Sequence, residues 1–137
     1  MVKVGLIDCV KLLDGKGSKA IKQRYLYNLF SKPENFESYC RFFFPHAFTR
    51  ELAGFQKEIV VDFLSESHNA DAAPRGHGKS TLIGLGYVSW LIAYQKEKYI
   101  IYTSQSHSKS VQFLEPLLME LKHNQLFNFV YDNIDLN

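Results

Sequence analysis

Residues 72–86 read AAPRGHGKSTLIGLG, a run of small residues, glycines, one lysine and two hydroxyls that leads into an apolar stretch. These residue types at this spacing suit the binding of a phosphate chain. Gly76 and Gly78 allow backbone angles that turn successive N–H groups inward as an anion nest. A helix beginning near Lys79 aims its first-turn N–H groups and positive dipole end at the same anion. In that arrangement Lys79 reaches the β- and γ-phosphates of a nucleotide as a point charge, Ser80 ligates Mg²⁺ and Thr81 hydrogen-bonds a phosphate oxygen. The pattern G-x-x-x-x-G-K-[ST] is met over Ala73, Pro74, Arg75, Gly76, His77, Gly78, Lys79 and Ser80, except that Ala73 stands at the first glycine. A bland alternative is a glycine turn before a helix, with Lys79 solvated. The apolar helix, strand and second helix expected directly downstream favour nucleotide binding. His77 reads as a solvated loop residue. Arg75 has two readings of equal weight: a guanidinium that offsets charge as the terminal phosphoryl group leaves, or one that only binds phosphate or pairs with a carboxylate.

The elements that must position this loop follow from periodicity and turn residues. Ile21, Tyr25, Leu26, Leu29 and Phe30 recur at helical spacing over 19–31, and SKPEN breaks the element. The aromatic segment NFESYCRFFFPHAFT starts helical and is stopped near Pro45, its three adjacent phenylalanines reading as packing. ELAGFQKEIVVDFLSE reads as an amphipathic helix with Leu52, Phe55, Ile59, Val60, Phe63 and Leu64 on one face. HNADAAP must then be the strand feeding the loop, although its β-propensity is poor. Residues 79–95 form an apolar helix in which Gly84 and Gly86 point to close packing. KYIIYTS is the clearest strand of the chain. A helix over HSKSVQFLEPLLMELKHN follows, with Val111, Leu114, Leu117, Leu118 and Leu121 inward and a kink or late start at Pro116. From residue 70 onward the order β–loop–α–β–α predicts an α/β protein with an open, mainly parallel sheet. Residues 1–50 read as a helical, aromatic-rich segment and 51–137 as the first part of a phosphate-binding-loop domain.

The totals exclude several classes. The chain has 137 residues, 46% hydrophobic and 22% charged, with a net charge of +2, the composition of a globular protein and too little charge to indicate nucleic-acid binding. The first 24 residues are more basic, which reads as a solvated terminus. Cys9 and Cys40 match no metal-ligand spacing and are expected as reduced thiols. The N-terminus lacks the apolar run and cleavage site of a signal peptide, and nothing reaches the roughly 18 apolar residues of a membrane span. The expectation is a soluble intracellular chain with no membrane partner.

APRGHGKSTL, preceded by a helix bearing Phe55-Gln56 and before that by FFFPHAFTREL, resembles the large terminase subunit of tailed bacteriophages. These are ATP-driven motors that package viral DNA into a capsid. The family joins a P-loop ATPase of the additional-strand, RecA-like class to an RNase-H-like nuclease. The departure at Ala73 and the arginine at Arg75 both fit it. The resemblance covers about residues 36–125, and only the loop is highly specific. It implies ATP and Mg²⁺ as cofactors, Arg75 as an in-loop finger or sensor, Lys79, Ser80 and Thr81 on Mg·ATP, and Gln56 on adenine. It further implies double-stranded viral DNA, a portal protein and a small terminase subunit as partners, self-association as a motor ring, and the host cytoplasm as location.

The chain also departs from the family. Such an ATPase needs an apolar strand ending in Asp, followed by a Glu that activates water. Downstream of the loop only FNFVYDN, ending near Asp132, is apolar and ends in Asp, and no Glu follows Glu120. The expected sheet is therefore incomplete. The chain is expected to be the N-terminal piece of a terminase from a truncated, split or interrupted gene, inactive in hydrolysis by itself. Two rival readings stand: a fragment of a RecA-like helicase or motor, with Ser104 and Gln105 facing DNA or the active site, and a non-enzymatic interaction protein with a remnant loop.

Overall fold

A computed structural model describes residues 5–15, 17–65 and 78–131. The helices are α1 (Leu6–Asp14), α2 (Lys19–Phe30), α3 (Phe36–Phe43), α4 (Gly54–Leu64), α5 (Lys79–Thr81), α6 (Val88–Ala93), α7 (His107–His123) and α8 (Gln125–Val130). A 3-10 turn, Pro33–Asn35, precedes α3, and a π-helical turn, Leu82–Tyr87, joins α5 to α6. The chain forms two compact units: the described residues of 1–51 and 124–133 make unit 1, and those of 52–123 make unit 2.

No strand occurs among the described residues, so the expected α/β fold with a parallel sheet is corrected to a helical one. KYIIYTS takes no regular secondary structure, and Tyr99 and Ile101 are 87% and 85% exposed. The reason is pairing. A strand's N–H and C=O groups need a neighbouring ladder, and among the described residues no second extended segment is paired with this one. The apolar run FNFVYD is also not a strand: its residues up to Val130 complete α8. HNADAAP and Asp132 lie outside the described residues.

Unit 1 is built on aromatic packing. Helix α3 buries Phe36, Tyr39, Cys40, Phe42 and Phe43, and Phe44 follows them into the core. Phe43 is the hub: its ring centroid lies 4.9 Å from Phe42, 5.2 Å from Tyr39, 5.3 Å from Phe30, 5.5 Å from Phe127 and 5.4 Å from Tyr131. Tilted and edge-on pairs at such distances add about 0.5–1.5 kcal/mol each beyond area burial. The three adjacent phenylalanines are thus core, as their packing reading expects. Two asparagines close the helix ends that this core buries. Buried Asn35 donates from Nδ2 to the Leu29 carbonyl at 3.0 Å, near the C-terminus of α2. Asn124 caps α8 by accepting from the Phe127 N–H at 2.9 Å, and donates from Nδ2 to the Phe43 carbonyl at 2.6 Å. Gln23 adds a third tie, from Nε2 to the Phe129 carbonyl at 2.6 Å.

In unit 2, α5, the π-turn and α6 form one helical run that buries Leu82, Gly84, Leu85, Gly86, Val88, Ser89, Trp90, Leu91 and Ala93. It ends in a Schellman motif, with Lys96 N–H on Leu91 O at 3.0 Å and Gln95 N–H on Ile92 O at 3.2 Å. Gln95 occupies the left-handed position, at φ 48°, where glycine is usual. Helix α7 runs unbroken through Pro116, so it does not start late. Of the five residues expected inward on α7, only Leu117 and Leu121 are buried; Val111, Leu114 and Leu118 are exposed.

Candidate functional site

The site is assembled from α4 and the start of α5, both in unit 2. Gly78 sits at φ 72°, ψ 15°, the left-handed conformation that side chains rarely adopt. The first intrahelical bond runs from the Leu82 N–H to the Gly78 carbonyl at 2.9 Å. The first-turn N–H groups therefore head the helix axis where Gly78 turns the chain, the geometry that favours an anion. Ser80 and Thr81 are exposed, and Lys79 is half-buried.

Gln56 is the third residue of α4, and its Oε1 accepts the Ala53 N–H at 2.9 Å. This is the reach-back half of a capping box, and it fixes the carboxamide. With the oxygen engaged there, the amide nitrogen faces the other way: a Cβ built on Gly78 would lie 3.2 Å from Gln56 Nε2. The structure therefore brings Gln56 to the glycine that begins the Lys79–Ser80–Thr81 turn. Ala73, Pro74, Arg75, Gly76 and His77 lie outside the described residues.

Two tyrosines that the sequence did not single out brace this helix. Tyr87 donates from its hydroxyl to the Phe63 carbonyl at 2.9 Å, tying the π-turn to the end of α4, and its ring meets that of Phe63 edge-on at 5.3 Å. Tyr102 lies against Gly84, where a Cβ would stand 2.6 Å from the tyrosine hydroxyl oxygen. Burial pushes both phenols above the ordinary tyrosine range, with the charge of Glu97 adding to the effect at Tyr87. The one signal for Tyr102 in the sequence was its counterpart, a glycine inside an apolar helix.

Other candidates are engaged elsewhere. Ser104 and Gln105, which the helicase reading directs to DNA, belong to the entry of α7. Ser104 Oγ donates to the Ser106 carbonyl at 2.9 Å, and Gln105 Oε1 accepts from Lys109 Nζ at 2.9 Å. Among its described residues, unit 1 carries a cleft of about 670 Å³ lined by Gln23, Arg24, Tyr27 and Asn28 among others, and another of about 530 Å³ lined by Lys19, Lys22 and Phe129 among others. In the second, Lys22 Nζ donates to the Leu13 carbonyl at 3.0 Å and Lys19 Nζ lies 5.5 Å from the Phe129 ring centroid. Both ammonium groups thus have partners within unit 1.

Among the described residues no three His, Cys, Asp or Glu side chains gather as a metal site, and no helix is long and apolar enough to cross a membrane. Gly78–Thr81 brings together the Lys79 side chain, two exposed hydroxyls and a helix start, residue types whose chemistry is compatible with an anion. No family model matches the chain, and neither a curated protein nor a solved structure matches it.

Proposed function

We propose that this chain binds the phosphates of ATP at Gly78, Lys79, Ser80 and Thr81, as the nucleotide-binding part of a terminase-like motor that packages viral DNA. The observation that carries the reading is left-handed Gly78 turning directly into the helix that begins at Lys79, with Gln56 lodged against it. Lys79 supplies the charge for the β- and γ-phosphates, the Ser80 hydroxyl a ligand for Mg²⁺, and the Thr81 hydroxyl a phosphate hydrogen bond. Arg75 belongs to the same proposal as finger or sensor, with Ala73, Pro74, Gly76 and His77 completing the loop. What carries over from the terminase resemblance is this phosphate end, not the sheet. Double-stranded DNA, a portal protein, a small subunit and a ring of like chains in the host cytoplasm are the partners and setting that accompany it.

Isothermal titration of the full chain with ATP and Mg²⁺ tests the reading. Binding is expected, and Lys79→Ala should weaken it at least about tenfold, since a hydrogen-bonded charge contributes about 1.5–3 kcal/mol. Absence of binding at millimolar ATP, or an affinity indifferent to Lys79→Ala, would overturn it. A second reading, a non-enzymatic interaction protein, draws on the helical architecture and on the exposed apolar residues Val111, Leu114 and Leu118 of α7. It predicts no preference among nucleotides and none for nucleotides over other anions.

A further inference from the structure

We propose that residues 99–103 are a self-recognition segment, paired antiparallel with the same residues of a second copy of this chain about a two-fold axis at Ile101. The pairing is independent of the ATP-binding reading, and a two-fold pair closes on itself, unlike the head-to-tail contact of a ring.

The segment has the alternation of a strand without a strand's partner. Tyr99 and Ile101 are 87% and 85% exposed, whereas Ile100 between them is 38% exposed and Tyr102 is half-buried. Tyr102 anchors the inner side: its hydroxyl lies against Gly84, and its ring centroid stands 6.2 Å from that of Phe113 on α7. Alternate residues held inward and outward are what a pleated edge presents. Among the described residues no backbone hydrogen bond engages the N–H or C=O groups of Tyr99, Ile100, Ile101, Tyr102 or Thr103. An open edge of this kind is normally guarded by charge, proline or a bulge, but residues 99–106 contain no charged residue, glycine or proline. Uncharged β-branched and aromatic residues in a row are the signature of segments that pair with their own copies.

Charge and symmetry select the arrangement. Parallel, in-register pairing would set Lys96, Glu97 and Lys98 each beside its own copy, like charge on like charge. The antiparallel pair about Ile101 instead sets Lys98 opposite Ser104 of the second copy, Tyr99 opposite Thr103 and Ile100 opposite Tyr102, with no charges opposed. The bodies of both copies then stand on the inner side of the ribbon. There Phe113, exposed beside Tyr102, adds the apolar area that a two-stranded ribbon by itself lacks.

Sedimentation equilibrium of the full chain across the micromolar range, with oxidative cross-linking of single-cysteine variants, is the test. The wild type is expected as monomer and dimer in exchange. Ile101→Lys places two ammonium groups at the axis and should raise the dimer dissociation constant at least about a hundredfold. Because Ile101 is exposed, the variant should keep the circular dichroism and urea midpoint of the wild-type monomer. Opposed residues of antiparallel strands lie about 4.5–5.5 Å apart at Cα, within disulfide reach, so Ile101→Cys should give a covalent dimer on oxidation. Tyr99→Cys should not, because its two copies stand four residues apart along the ribbon, about 13 Å. The wild type, which carries Cys9 and Cys40, controls for the native thiols. A chain that stays monomeric throughout overturns the proposal; a lower urea midpoint for Ile101→Lys would then assign the cover to a segment of the same chain. Dimers indifferent to Ile101→Lys, cross-linking through Tyr99→Cys in place of Ile101→Cys, or open-ended growth overturn it equally.

Discussion

Replacing Gly84 with alanine, once in the wild-type chain and once in a Tyr102→Phe background, separates two effects of opposite sign. Glycine within a helix costs about 1 kcal/mol relative to alanine, so the substitution alone should stabilise the run from α5 to α6. In the wild type the new methyl would stand 2.6 Å from the Tyr102 hydroxyl oxygen, a distance that forces movement. Overpacking of this kind costs about 1–3 kcal/mol. The next nearest atoms of the ring lie at 3.5 and 3.7 Å, ordinary contact distances, so removing the hydroxyl removes the clash. Gly84→Ala should therefore lower stability by up to about 2 kcal/mol in the wild type and raise it by about 1 kcal/mol beside Phe. The coupling energy of the cycle is then about 1–3 kcal/mol. Urea denaturation followed by tryptophan fluorescence is the assay. Trp90 is the one tryptophan of the chain and lies buried in α6, so its signal reports on the unit that holds the site. A coupling energy of zero, with Gly84→Ala having the same effect in both backgrounds, would refute the contact between Tyr102 and the π-turn.

In unit 1, Asn124→Ala removes the N-cap of α8 and the partner of the Phe43 carbonyl together, at about 1 and 1–2 kcal/mol respectively. Near-UV circular dichroism of the tyrosines in urea should show the sum, with Asn124→Ser recovering the cap share; equal losses for the two variants would count against the dual role. Cys40 gives a pH prediction. Burial, with a smaller contribution from the Glu37 charge, holds its thiol well above the usual range in the folded chain. The unfolded thiol ionises near its ordinary value of about 8.5. Above that pH the unfolded state binds fewer protons than the folded one, so stability is intact below it and declines as pH rises further. Denaturation midpoints between pH 7 and 10 should fall, and Cys40→Ala should flatten the fall; an identical slope in the variant would exclude Cys40 as its source.

The helices were legible because their apolar residues recur at helical spacing and their ends carry recognisable stops. SKPEN ends α2, and the chain leaves α3 before Pro45. The sheet was misread for a physical reason. β-branched and aromatic residues in KYIIYTS mark a segment that fits a pleated surface, but propensity does not supply the second strand. Likewise, the apolar stripe of α7 was visible, yet periodicity does not say what covers it, and Val111, Leu114 and Leu118 are exposed. Gly84 announced a close neighbour without naming Tyr102. Gln56 entered through family resemblance alone; its placement at Gly78 depends on a backbone bond to Ala53 that residue types do not reveal.

The division of the chain into units has a consequence for synthesis on the ribosome. Unit 1 is interrupted: Phe127, Val130 and Tyr131, which complete its buried aromatic core, are encoded after the whole of residues 52–123. Phe30, Tyr39 and Phe43 therefore leave the ribosome early, without the residues that finally cover them. Exposed aromatic surface in an incomplete core is what chaperones bind and what promotes aggregation. The core of unit 1 therefore waits on the translation of residues 52–123, and its fate depends on how quickly they are made.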